Sequence, residues 1–242
     1  MVRHPVPMLA TPGPAPADDD TRYAYECKYD GIRCLAWISD GVCHMISRNG
    51  NSLNAAFPEI SHALLSLAAG RELTLDGELV APDRGGVPRF SRIGRRLGVT
   101  RPSPALIRAV PACLYVFDLL GFGGRDLRTL TYLERRERLE RLGLPHGPVL
   151  LSPSYRDIPV SRMLAVAAEH DIEGVIGKRV DSYPDQAAYL FEGRAERHYA
   201  ECRTLAEGAT GHGIPGNRPG HVNVMKTIHR FIAERLRVDI VS

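Results

Sequence analysis

The chain has 242 residues, 44% hydrophobic and 24% charged, with a formal net charge of +3. That is ordinary globular composition, long enough to bury a full core and too balanced to name a partner by charge alone. Five cysteines without paired CxxC spacing argue against a zinc or disulfide framework, and no apolar run reaches transmembrane or leader character, so a cytoplasmic protein without membrane contact is expected.

Residues 1–20 are rich in Pro and Ala, end in three aspartates, and read as an extended arm. Residues 23–27 and 34–38 read as strands about a turn at Asp30-Gly31, and Asp40-Gly41 signals a hairpin into a strand over 42–47. Phe57, Ile60, Leu64 and Leu67 recur at helical spacing, predicting a helix over 57–67. Residues 73–81 and 114–120 return to strand. Thr131 with Glu134 forms a capping-box signature for a helix to 142. Residues 161–170 read as helix and 174–178 as a buried strand, after which the pattern weakens until one last amphipathic helix carried by Val224, Ile228, Phe231, Ile232 and Leu236. Strands and helices mix without βαβ alternation, which favours an α+β fold of mainly antiparallel sheets over a Rossmann fold.

The richest chemistry lies in Glu26-Cys27-Lys28-Tyr29-Asp30-Gly31-Ile32-Arg33. Strand alternation puts Glu26 and Lys28 on one face and turns Cys27 away, towards the core. Gly31 permits a tight turn and close backbone approach to a ligand, and Arg33 adds a fixed cation suited to phosphate or ribose oxygens. A lysine so placed attacks phosphorus once deprotonated. By itself the octapeptide also fits a surface Lys/Asp pair at a hairpin. The chain holds only three lysines, Lys28, Lys178 and Lys226, amid abundant arginine. Arginine cannot shed its proton to attack, so a retained lysine is suggestive. Arg92, Arg95, Arg96, Arg101 and Arg108 form a basic stretch that suits either DNA phosphates or a solvated helix surface.

The run at 26–33 resembles the K-x-D-G-x-R signature of the covalent nucleotidyltransferases: DNA ligases, RNA ligases and mRNA capping enzymes. Further family-like elements follow in order. They are Ser47-Arg48-Asn49-Gly50, Leu75-Asp76-Gly77-Glu78-Leu79-Val80, Tyr115-Val116-Phe117-Asp118-Leu119-Leu120 and Glu173-Gly174-Val175-Ile176-Gly177-Lys178. Each is short, and five in order carry the resemblance. Pro7-Met8-Leu9-Ala10-Thr11, Phe90-Ser91-Arg92 and Tyr132-Leu133-Glu134-Arg135-Arg136 are similar to the ligase domain of bacterial end-joining ligases.

The resemblance implies an ATP-dependent DNA ligase adenylation domain. Its fold would be an ATP-grasp-like nucleotidyltransferase domain of antiparallel sheets flanked by helices, with the nucleotide cleft between sheets. Residues 21–203 would form that domain, and 204–242 an irregular tail with one helix. Lys28 would attack the α-phosphate of ATP and carry AMP. Glu26, Arg33, Arg48, Glu78, Phe117 and Lys178 would bind the nucleotide, with adenine stacked on Phe117. Glu78 and Glu173 would hold Mg²⁺. In a regular strand Glu173 and Lys178, five residues apart, face oppositely, so a bulge at Gly174 or Gly177 is expected to bring both into the site. The implied partners are nicked double-stranded DNA and end-joining proteins of Ku or primase type.

Two departures from the family stand out. Its closing apolar-Lys-x-Lys strand is missing, and the nearest match, Tyr199-Ala200-Glu201-Cys202-Arg203, puts Glu201 where the first lysine belongs. A carboxylate near a triphosphate at about 4 Å costs several kcal/mol at intermediate dielectric, so weak or absent self-adenylation is expected. Roughly forty residues follow Arg203, too few for the OB-fold that usually follows this domain. Alternatives are a catalytically inactive nucleotide- or DNA-binding remnant, or an RNA ligase or capping-type enzyme.

Overall fold

The computed structural model describes residues 10–184 and the backbone of 188–192. The Tyr199–Arg203 segment and the helix expected around 224–236 lie outside the described residues, as do residues 1–9 of the arm. Two sheets organise what is described. The larger runs in the order β4 (Val42–Ser47), β3 (Ile32–Ser39), β5 (Leu73–Val80), β6 (Cys113–Phe122), β7 (Arg125–Asp126), with β8 (Val149–Leu151) also paired to β6. The smaller runs β1 (Ala10–Pro12), β10 (Ala188–Glu192), β9 (Gly174–Arg179), β2 (Tyr23–Lys28). Pairing is antiparallel except at β1 with β10 and β6 with β8, so the expected α+β class of mainly antiparallel sheets holds.

The larger sheet buries one face by simple alternation. Ile32, Cys34, Ala36 and Ile38 on β3 and Leu73, Leu75 and Leu79 on β5 enter one core with Leu114, Val116 and Leu119 on β6. Helix α1 (Pro58–Ala68) covers that face through Ile60, Leu64 and Leu67. Pro58 pre-sets the first helical φ, and the chain leaves through Ala69 in the left-handed region. Burying each such leucine contributes about 1.5–3 kcal/mol. The hairpin between β3 and β4 turns at Asp40 and Gly41, both with positive φ, the geometry that Asp-Gly favours.

Tyr25, Cys27 and Val175 on the smaller sheet pack instead against α5 (Val160–Glu169) through Val160, Met163, Val166 and Ala167. The N-cap of α5 is Pro159, which has no side chain to offer; Asp18, from the end of the arm, accepts from the Ser161 amide at 2.9 Å and hydroxyl at 2.6 Å. Where the sheets meet, Tyr29 stacks on Tyr115 with centroids 4.6 Å apart.

Helix α4 (Tyr132–Glu140) carries the expected capping box between Thr131 and Glu134. The stretch 90–109 folds as a short α2 (Phe90–Ile93), a 3₁₀ turn and α3 (Pro104–Ala109). Its arginines divide. Arg95, Arg101 and Arg108 are exposed, whereas Arg96 is fully buried. Arg96 pairs with Glu59, donates to the Ala56 carbonyl and lies 4.7 Å from the Phe57 ring centroid. That takes Arg96 out of both readings of the basic stretch: a guanidinium buried against Glu59 and Phe57 neither meets DNA nor faces solvent.

Candidate active site

Strand β2 turns Tyr23, Tyr25 and Cys27 towards α5 and Glu26 and Lys28 to the opposite face, as alternation requires. Burial pushes the Cys27 thiol up to about 12, in keeping with packing rather than reactivity. Antiparallel pairing sets Lys28 opposite Gly174 and Ala24 opposite Lys178. Lys178 therefore projects beside Glu26, and its ammonium lies 3.0 Å from both carboxylate oxygens. Both side chains are nearly buried.

Glu173 forms an ion pair with the Lys28 ammonium. The expected bulge is not what brings it there. The β2–β9 register is continuous from Tyr23–Arg179 to Lys28–Gly174, and Glu173 lies one residue before β9, where strand alternation no longer binds it.

The larger sheet supplies the opposite wall. Arg33 and Glu78 are cross-strand partners, and the Arg33 guanidinium turns to Asp76 with bonds of 2.5 and 2.6 Å. Between Asp76 and Gly77 the pairing with β6 slips, leaving Phe117 as the extra residue between Val116 and Asp118. This bulge resets the alternation, so Val116 and Leu119 both enter the core while Phe117 meets the cleft. Its ring centroid lies 4.6 Å from the Arg33 guanidinium carbon and 4.5 Å from Lys178 Nζ.

Gly31 is required by packing within the fold. A β-carbon there would lie 2.8 Å from Glu78 Cγ and 2.9 Å from Val80 Cγ1, and closer still to the Leu79 carbonyl oxygen. The close approach seen here is to β5.

Burial pushes the Glu78 carboxyl up to about 8; Arg33 and Lys28 oppose that rise, and Asp76 and Glu173 add to it. A carboxylate desolvated in this way gains from a nearby cation. Among the described residues no three His, Cys, Asp or Glu side chains are grouped to hold a metal. A cation held by Glu78 and Glu173 would therefore complete its shell from phosphate and water, which is how Mg²⁺ is usually bound. Arg48 stands apart, exposed in the turn after β4.

Sequence reasoning overlooked two side chains that shape this cleft. Tyr132 donates its hydroxyl to Glu26 Oε1 at 2.7 Å, and Arg135 grips Asp118 at 2.8 and 2.9 Å. Tyr132 lies 106 positions from Glu26. The capping box placed it at a helix start, but nothing local announced its partner.

A family model described as the ATP dependent DNA ligase domain matches residues 7–191. The chain belongs to the ATP-dependent DNA ligase family. This ligase domain is 35% identical over 176 residues to a multifunctional non-homologous end joining protein LigD of Mycobacterium bovis, covering 73% of this chain and 22% of the relative. It is 31% identical over 191 residues to a bifunctional non-homologous end joining protein LigD of Bacillus subtilis, covering 73% of this chain and 31% of that one. The chain thus spans about a fifth to a third of these curated relatives. Among solved structures, it resembles a mycobacterial DNA ligase D complexed with ATP and MES, with TM-score 0.61, 32% identity, and coverage of 78% of this chain and 56% of the other. Chlorella virus DNA ligase-adenylate shares the fold, with TM-score 0.55 at 15% identity over 77% of this chain and 68% of the other. Among the described residues no helix is long and apolar enough to cross a membrane.

Proposed function

We propose that residues 21–203 form the adenylation domain of an ATP-dependent DNA ligase, with Lys28 as its covalent nucleophile. The observation that carries this reading is the position of the Lys28 ammonium, held by Glu173 at a cleft whose walls present Glu78, Arg33, Phe117 and Lys178. Lys28 Nζ bonds to the α-phosphorus of ATP as the bond from that phosphorus to pyrophosphate breaks, with loss of the amine proton. AMP then passes to the 5′-phosphate of nicked double-stranded DNA, and the 3′-hydroxyl displaces it.

Phosphoryl transfer depends on positioning and on meeting charge. Glu173 orients the amine. Arg33 and Lys178 supply cations for phosphate or ribose oxygens, and Arg48, exposed in the turn after β4, would have to swing in to add a third. Phe117 offers a face for adenine, and Glu26 holds the Lys178 ammonium that lies against the same ring. Glu78 and Glu173 are the carboxylates suited to Mg²⁺, which when bound neutralises phosphate charge. The names of the LigD relatives support a role in non-homologous end joining; a cytoplasmic location and partners of Ku or primase type belong to the same proposal.

If Tyr199–Arg203 is the closing motif, Glu201 stands where its first lysine belongs, and self-adenylation is expected to be slow. Purified protein incubated with α-labelled ATP and Mg²⁺ should acquire a weak covalent label that Lys28→Ala abolishes and Glu201→Lys strengthens. Label that survives Lys28→Ala refutes the assignment. Preferential labelling by GTP indicates a capping-type enzyme, and ATP binding without transfer in either form indicates a binding remnant.

A further inference from the structure

The run that opens α4 plays no part in the chemistry above, yet its first residue reaches into the cleft. Tyr132 is 1% exposed, and its hydroxyl contacts both Glu26 Oε1 and Ser154 Oγ, the latter at 2.8 Å. A phenol has one proton and an ionised carboxylate can only accept, so that proton goes to Glu26 and Ser154 donates to the phenol oxygen. Burial holds the phenol well above its ordinary range, which keeps it a donor. Glu26, 3% exposed, in turn holds Lys178, whose ammonium lies 5.1 Å from the Tyr132 ring centroid and 4.5 Å from that of Phe117.

The backbone makes this cradle rigid. The Thr131–Glu134 capping box fixes the helix start. The amides of Tyr132 and Leu133 donate to the Ser182 and Val180 carbonyls at 2.7 and 3.1 Å. Helix α4 is thereby stitched to the chain just beyond β9, within a few residues of Lys178 itself.

We propose that Tyr132 is a positioning residue of the nucleotide cleft, which through Glu26 holds Lys178 as the cation that meets the phosphate oxygens of a nucleoside triphosphate. Its ligand rests on the ligase reading; the cradle does not. A buried ion pair stays ionised only while its charges keep their hydrogen-bond partners. Glu26 has Lys178 and Tyr132 as its side-chain donors, with Arg136 of α4 adding positive charge nearby. Without the phenol donor, the carboxylate is free to turn and its two-oxygen grip on the Lys178 ammonium loosens. Lys178 then moves more freely and is more open to a reagent.

The scarcity of lysine makes this measurable. With three lysines in the chain, brief acetylation by acetic anhydride followed by peptide mass spectrometry reads Lys28 and Lys178 separately, without ATP. Tyr132→Phe, which keeps the ring and its packing, should speed acetylation of Lys178 about tenfold, the scale of one hydrogen bond to a charged group. Lys28 should stay within about twofold. A purely structural loss would raise both rates together. Ser154→Ala, which leaves Tyr132 intact, should act in the same direction by a smaller factor and serves if Tyr132→Phe fails to fold.

The ligand arm measures ATP dissociation constants. Tyr132→Phe should weaken ATP about tenfold in the parent protein and not at all in a Lys178→Met background. An unchanged Lys178 rate, or equal weakening in both backgrounds, overturns the inference while Lys28-dependent labelling leaves the ligase reading standing. A parent protein that binds no ATP overturns the ligase reading and the phosphate role together, and the acetylation rates still decide whether Tyr132 holds Lys178.

Discussion

Gly31→Ala tests how the motif around Lys28 is built. The added methyl would meet three atoms of β5, two of them side-chain carbons at 2.8 and 2.9 Å and the third the Leu79 carbonyl oxygen. Side-chain carbons can rotate away; a carbonyl fixed in a ladder cannot. Relief therefore requires β3 and β5 to part at the pair Ile32–Leu79, where Ile32 is 8% exposed and Leu79 fully buried. Overpacking of this kind costs about 1–3 kcal/mol, and the immovable oxygen puts this case at the upper end. Against a typical total of about 5–15 kcal/mol, that is a large share. Urea unfolding followed by the fluorescence of the single tryptophan, Trp37 on β3, should show the midpoint falling by roughly 1 M at an ordinary slope. Gly98→Ala is the control, because Gly98 has positive φ but open space around the missing β-carbon; only backbone strain of about 1 kcal/mol applies there. A Gly31→Ala midpoint at or above that of Gly98→Ala would refute the close-packing argument.

Arg96→Ala should destabilise by roughly 3 kcal/mol in thermal or urea melts, because Glu59 and the Ala56 carbonyl lose their donor inside the fold. The exposed Arg95→Ala should leave the melt unchanged. Glu78 supplies a pH test. Its folded carboxyl titrates near 8 against an ordinary 4.5, so its favourable contribution is complete below about 4.5 and is lost as pH rises through 8. In protein free of metal and nucleotide, Glu78→Gln should therefore gain stability relative to the parent between pH 5 and 8.5, on the order of a few kcal/mol; parallel pH profiles for the two proteins would contradict the assigned burial.

Where a segment's own pattern decides its structure, the sequence was legible. Alternation in 23–28 placed Glu26 with Lys28 and turned Cys27 to the core, and the capping box set the start of α4. Short strands such as β1, β7 and β8 exist because a neighbour offers hydrogen bonds, and two or three residues carry no period of their own. The Phe117 bulge depends on Gly77, whose missing β-carbon lets the Tyr115 carbonyl approach; that is a property of two strands at once. Charge misled at Arg96, since burial of a guanidinium is decided by partners far along the chain. The Glu26–Tyr132 bond is the same kind of fact.

The pairing of β2 with β9 joins residues about 150 positions apart, and among the described residues the smaller sheet draws on 10–28 and 174–192. Among the described residues the larger sheet is finished by residue 151. A chain emerging from the ribosome can therefore complete the wall bearing Arg33, Glu78 and Phe117 while Lys28 still waits for Glu173 and Lys178. Pairings across such separations are slow to close. Lys28 therefore gains Glu173 and Lys178 as neighbours only after the chain has run on to β9, and on the proposed reading it cannot be loaded before both sheets are in place.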